Sequence, residues 1–180
     1  MKNKKLLLIL ALIGVAAGSR LLPHPPNFTA LGAMAIFGGA VLNSNKLRYF
    51  LTFGALVVSD LILNNTLYYS GEFSFYYPGM LWVYASFGIL VLIGSRMKSN
   101  SVKQVVGSGV IGSVAFFLLT NFGYWMSGIL YPTDMAGLLA CYVAALPFFG
   151  NTLVSTLLFS GVLFGSFHLV STKVLSTVKA

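Results

Sequence analysis

The sequence predicts an all-α membrane protein, a bundle of six transmembrane helices forming a single integral membrane domain over residues 1–180. Of the 180 residues, 57% are hydrophobic and only 8% are charged, which is too little charge to cover a soluble surface. The apolar residues come in several runs separated by short polar breaks. Because these runs do not alternate apolar and polar residues, they exclude a membrane β-barrel.

The first predicted helix, 6–22, follows three lysines and has two interpretations. The lysines, the apolar core and the small residues Val15-Ala16-Ala17 also match a secretory signal cleaved near residue 17. We favour an uncleaved first helix, because polytopic membrane proteins usually keep their first span.

The second helix, predicted at 28–43, is introduced by a proline-rich hinge, the segment 20–29 with the sequence RLLPHPPNFT. Its three prolines fix φ and lack a backbone donor, so no helix can run through them. The apolar run that follows is rich in glycine and alanine, which let helix backbones approach closely in lipid. We therefore expect the hinge at one membrane face and the other helices packed around the segment it introduces.

Four further spans are predicted at 47–65, 79–95, 104–125 and 151–171, most of them near the ~20 residues that cross the hydrocarbon core. The apolar piece 135–149 is shorter and is bounded by Pro147 and Gly150. It is predicted to form a lateral or re-entrant helix before the last span. Counted as a full crossing, it would give seven helices.

The basic residues decide between six and seven crossings. With six crossings and the N-terminus inside, ten of the eleven fall on the cytoplasmic face, as the positive-inside rule requires: Lys2, Lys4, Lys5, Lys46, Arg48, Arg96, Lys98, Lys103, Lys173 and Lys179. Seven crossings would place the last two outside. The sequence thus predicts cytoplasmic N- and C-termini in a bacterial inner membrane. The net charge of +8 then reflects topology, and no nucleic-acid partner is predicted.

The outer loop between the third and fourth spans is dense in aromatic residues, and other aromatics lie at similar predicted depth: Trp82, Tyr84, Tyr124, Trp125 and Tyr131. One interpretation is an interfacial belt, because Tyr and Trp favour the headgroup region. The other is a wall that stacks on a flat ligand. Both can hold for different members of the set.

Asp60 lies in the third span, ~21 Å along a helix from Lys46, where an ionised carboxylate is expensive unless it faces a cavity or a partner. Arg20 is the only basic residue predicted on the same side. One hypothesis is a structural Asp60–Arg20 pair; the other is that one or both groups bind a polar part of a substrate.

Six more polar or aromatic residues complete the candidate substrate-binding set with Arg20 and Asp60: His24, Asn27, Asn64, Asn121, Tyr124 and Trp125. Asn27 is also predicted to cap the second helix, and Asn121 is predicted to make an interhelical hydrogen bond or a ligand contact. His24 has no second ligand at a supporting spacing, so no metal site is predicted. We find no nucleophile–base set, P-loop or dinucleotide fingerprint, and predict neither an enzyme nor a cofactor.

Two stretches, the hinge with GAMAIFGGA at 32–40 and AGLLACYVAALPFFGNT at 136–152, resemble a family of small bacterial membrane proteins of unassigned function. More loosely, the chain is similar to the S-components of energy-coupling-factor vitamin transporters, through the LPFFGNT turn before the last helix. That resemblance implies six helices, a vitamin site near the outer face, and docking on a transmembrane coupling subunit with two ATPases.

The leading hypothesis is therefore a membrane-embedded binding subunit for uptake of a small, vitamin-like molecule. The alternative is a structural or assembly protein whose polar residues only fasten helices together. A deep outer cavity lined by the candidate residues would favour uptake. A packed interior in which Asp60 and Arg20 satisfy each other would favour the structural role.

Overall fold

A computed structural model describes residues 2–68, 73–98 and 101–176, and all regular secondary structure in these ranges is helical. The helices are α1 (Lys2–Ser19), α2 (Leu31–Val41), α3 (Asn45–Leu63), α4 (Met80–Ser95), α5 (Val102–Met126) and α6 (Met135–Ser176). A π-helical turn, Asn64–Tyr68, continues α3. The predicted all-helical class is confirmed.

The short helix α2 is the centre of the bundle. It contacts each of the other five α-helices, and its residues from Ala33 to Phe37 are almost completely buried. The expectation that the other helices pack around the segment after the hinge is confirmed.

Glycines explain how closely α2 and α4 approach. A Cβ added at Gly39 would collide with the Val91 carbonyl oxygen, and one added at Gly94 would collide with the Ile36 carbonyl oxygen. The two backbones therefore touch directly, which only glycine permits. This crossing fixes α4 against the core helix.

The lateral helix predicted at 135–149 is wrong as a separate element, because α6 runs without interruption from Met135 to Ser176 with Pro147 inside it. Proline removes one backbone donor but does not end a helix whose two halves are held by a neighbour. Here α5 contacts α6 on both sides of Pro147. Before it, the Tyr142 hydroxyl donates to the Leu118 carbonyl at 2.7 Å, and after it, the Phe149 ring lies 5.0 Å from the Phe117 ring.

Within the described residues, three helical stretches are long and apolar enough to cross a membrane: Asn45–Leu67, Val102–Met126 and Met135–Thr172. The apolar helices Leu31–Val41 and Met80–Ser95 are shorter than a full crossing. These helices support the membrane class.

Candidate functional site

A cavity of about 1120 Å³ lies beside the N-terminal end of α2. It forms because α2 starts late, after the hinge, while its neighbours continue past it. The first turn of α2, at Gly32, lies against Leu90 of α4 and Thr156 of α6. At 1.5 Å per residue, α4 extends about 15 Å from Leu90 back to its first residue, and α6 extends about 30 Å from Thr156 back to its first residue. The walls come from the hinge and from α3, α4, α5 and α6.

The hinge forms one side of this cavity, and its geometry corrects one prediction. Asn27 does not cap α2: it takes a left-handed backbone conformation with φ 61°, and the N-cap residue is Ala30, which offers no side-chain hydrogen bond. Asparagine tolerates left-handed φ better than most residues. The proline turn therefore runs three residues further than predicted, and Asn27 lines the cavity instead.

Helix α6 holds the hinge in place through hydrogen bonds to the backbone carbonyl groups of the hinge. Asn151 Nδ2 donates to the Pro26 carbonyl at 2.9 Å, and Ser155 Oγ contacts the Asn27 carbonyl at 3.5 Å. The two sequence motifs that carried the family resemblance, the hinge and the segment 136–152, are therefore joined directly.

Asp60 and Arg20 form the predicted pair. Arg20 Nη1 lies 2.6 Å from Asp60 Oδ1 and also donates to Ser59 Oγ at 2.7 Å. Asp60 is only 3% exposed, so this ion pair joins the end of α1 to a buried position in α3. Both residues line the cavity.

Two tyrosines complete the environment of Asp60. The hydroxyl groups of Tyr77 and Tyr84 donate to its second carboxylate oxygen at 3.3 and 3.1 Å. Burial raises the pKa of Tyr77 well above its ordinary value, and the Asp60 carboxylate adds to the rise. Tyr77 therefore stays a hydrogen-bond donor, and it also lines the cavity. The sequence placed Tyr84 among the aromatic residues but did not predict its contact with Asp60. The face of α4 that meets α3 is decided by packing, which the sequence does not show.

In the described part of the chain, two polar atoms that belong to residues of the cavity wall are buried and have no hydrogen-bond partner. They are Nδ2 of Asn64 and Oγ of Ser113, in residues that are 5% and 1% exposed. Asn64 begins the π-helical turn after α3, and such turns are frequent at functional sites because they shift side chains out of helical register. Ser113 was not predicted, since a serine beside glycines in α5 is typical of helix packing.

His24 contributes to the cavity wall from the hinge. Its Nδ1 lies 2.9 Å from the Pro25 carbonyl oxygen and its Nε2 lies 3.2 Å from the Arg20 carbonyl oxygen. A neutral imidazole has one N–H and can donate to only one of them. A ring N–H donated to either carbonyl holds the ring against the hinge backbone.

The remaining candidates do not line this cavity. Asn121 Nδ2 donates within its own helix to the Phe117 carbonyl at 2.7 Å, which corrects the predicted interhelical bond. Trp125 Nε1 donates to the Pro132 carbonyl at 2.9 Å, and the Tyr124 ring meets Tyr131 edge to face. Five of the eight candidates thus meet in one cavity: Arg20, His24, Asn27, Asp60 and Asn64.

Comparison with known proteins shows the family to which the chain belongs. A model of a family of unknown function, DUF6580, matches residues 1–178. Searches of the curated proteins and of the solved structures found no match. The predicted membership of an uncharacterised family is confirmed, and the similarity to S-components stays a prediction.

Proposed function

Because the chain belongs to DUF6580, a family of unknown function, we infer its role from the cavity and propose that it is the substrate-binding subunit of an uptake system for a small, vitamin-like molecule. The observation that carries the proposal is the cavity itself. A protein that only fastened helices together would gain stability by filling such a space. Here the space is kept, and buried polar groups line it.

The proposal includes six crossings of a bacterial inner membrane with both termini in the cytoplasm. The distribution of lysine and arginine supports this topology. In that arrangement α3 begins near Lys46 at the cytoplasmic face and carries Asp60 toward the other side. The cavity then lies near the outer face, where a substrate in transit from outside would meet it.

Uptake against a gradient needs an energy source, and the sequence carries no nucleotide-binding motif. We therefore propose a transmembrane coupling subunit with ATPases as the partner, by similarity to S-components. The cavity would supply recognition, and the partner would supply the conformational work.

The alternative, a structural protein, is favoured by one observation: Arg20 and Asp60 satisfy each other. Asp60→Asn and Arg20→Gln, made separately and together, show whether the pair itself is only structural or belongs to a substrate-binding site. If the pair only fastens α1 to α3, a folded double variant keeps full uptake. If the pair shapes the binding site, the double variant loses uptake even when its stability recovers.

The cavity is tested by native mass spectrometry of the protein purified in mild detergent. Val83 lines the cavity, and Leu81, two residues earlier on α4, is 73% exposed, so Leu81→Trp is a matched control for Val83→Trp. We expect a small molecule of constant mass to stay bound to the wild-type protein and to Leu81→Trp, and to be lost from Val83→Trp. An adduct that survives Val83→Trp, or no adduct on any of the three, would contradict the proposal.

A further inference from the structure

We propose that the cavity selects an uncharged ligand, one that presents a carbonyl-type hydrogen-bond acceptor, such as an amide or ring keto group, to Asn64 and Ser113. This inference rests on the proposed function and names the chemical class of its substrate. It follows from the unpartnered atoms of the wall, from the start of α2, and from the balance of charge.

The unpartnered atoms define what the ligand must offer. The Asn64 amide nitrogen carries two N–H donors and accepts nothing, and it is buried without a partner among the described residues. The Ser113 hydroxyl on α5 is likewise buried without a partner among the described residues, and it can also donate. An oxygen acceptor on the ligand would satisfy either group, whereas a purely apolar ligand would leave both unpaired.

The start of α2 adds donors of the same kind. The first N–H groups of a helix have no partner inside the helix, and Ala30 provides no side-chain cap for them. Leu31 and Gly32, the first two residues of α2, line the cavity. The partial positive charge of this helix end favours an acceptor atom nearby.

The charged residues of the wall argue against an ionic ligand. Arg20 is already engaged by Asp60 and Ser59, and Asp60 receives both Tyr77 and Tyr84 on its other oxygen. Of the other groups that titrate, His24 turns its ring nitrogens to backbone carbonyls. The charges of Arg20 and Asp60 therefore cancel, and a buried ion would bring its desolvation cost without finding either of these two groups free.

The rest of the wall fits an aromatic or otherwise apolar body. Phe87 and Phe116 meet edge to face with ring centroids 5.4 Å apart, and both line the cavity together with Val83 and Leu90. Aromatic and aliphatic walls with a few placed polar groups are typical of small-molecule sites. A planar ring bearing an amide combines the two requirements.

The test uses three probes of one shape and different charge: benzamide, benzoate and benzamidine. Binding to the protein in lipid nanodiscs is measured by ligand-observed NMR, with empty nanodiscs to subtract partitioning into lipid. The wild-type protein is compared with Asn64→Leu and Ser113→Ala. The matched controls are Asn121→Leu, an asparagine outside the cavity, and Ser160→Ala, a buried serine that is also unpartnered but does not line it. Val83→Trp marks the signal that belongs to the cavity.

We expect benzamide to bind more tightly than either charged probe. Asn64→Leu and Ser113→Ala should each weaken it roughly tenfold, the value of one hydrogen bond to a buried group, and the two controls should leave it unchanged. Preferential binding of benzoate or benzamidine that Val83→Trp removes would overturn the ligand class while leaving the cavity a binding site. Benzamide binding that is insensitive to Asn64→Leu and Ser113→Ala, or no cavity signal from any probe at millimolar concentration, would also overturn it. None of these results contradicts the proposed function, which the co-purification experiment tests separately.

Discussion

The ion-pair partner of Asp60 could be predicted from the sequence. An acidic residue inside an apolar helix needs a partner, and Arg20 was the only basic residue predicted on its side of the membrane. Scarcity of charge thus identified the pair, which the structure confirms at 2.6 Å. The residues that complete its surroundings, Ser59, Tyr77 and Tyr84, carry no such signal, because serines and tyrosines are common in this chain.

Removing one partner of this ion pair should lower the stability of the protein. Arg20→Gln leaves the carboxylate of Asp60 buried with only hydroxyl donors, and we expect a loss of about 2–4 kcal/mol in the free energy of unfolding. The lower end is favoured because the Arg20 side chain keeps 19% exposure. Adding Asp60→Asn should recover part of the loss, since no charge then remains unpaired. Chemical denaturation in detergent measures both effects, and a double variant less stable than Arg20→Gln would argue against the pair.

The unpartnered serine of the cavity gives an opposite prediction. A buried hydroxyl without a partner costs ~1–3 kcal/mol, so Ser113→Ala should raise the free energy of unfolding of the empty protein by about 1 kcal/mol. Ser160→Ala should do the same, because the Ser160 hydroxyl is also buried without a partner among the described residues. Thermal unfolding of the ligand-free protein checks both. A destabilisation of more than about 1 kcal/mol by Ser113→Ala would mean that the hydroxyl does make a stabilising bond.

At the scale of the elements, local rules predicted most helices and failed at one. The prolines of the hinge forced a break, and α2 and α3 lie within a few residues of the predicted spans. Pro147 and Gly150 also suggested a break, but contacts with α5 keep α6 continuous. Those contacts lie far apart in the sequence, so no local pattern could show them. The depth at which α2 begins, and hence the cavity, depends on the same long-range packing.

The crossing of α2 and α4 gives a prediction at this scale. A Cβ at position 94 would collide with the backbone carbonyl of Ile36, whereas one at position 54 would meet nothing within 4 Å. Gly94→Ala should therefore destabilise the bundle by about 1–3 kcal/mol or more, and Gly54→Ala should be neutral or slightly stabilising, because alanine has the higher helix propensity. Thermal unfolding of the two variants in the same detergent compares them. Equal stability would show that the helices are not in backbone contact.

For the whole molecule, composition was enough to predict the membrane class, and the distribution of basic residues predicts an orientation that stays a prediction. The assembled site was only half predictable. The candidates in the hinge and in the α3 region meet in the cavity, because the C-terminal end of α3 lies beside the C-terminal end of α1. Asn121, Tyr124 and Trp125 were placed by depth alone, and they do not line the cavity. Depth does not determine which side of α5 faces the core.

The central claim is that the cavity opens on the extracytoplasmic side of the membrane. Leu22 lines it and is 65% exposed, while Lys46 lies in the first turn of α3, at the other end of that helix. Single cysteines at these positions, in a Cys141→Ser background, are to be reacted with a membrane-impermeant thiol reagent. We predict that Leu22→Cys is labelled in intact cells with a permeable outer envelope, and Lys46→Cys only after the inner membrane is opened. Labelling of Lys46→Cys from outside, with Leu22→Cys protected, would contradict the account.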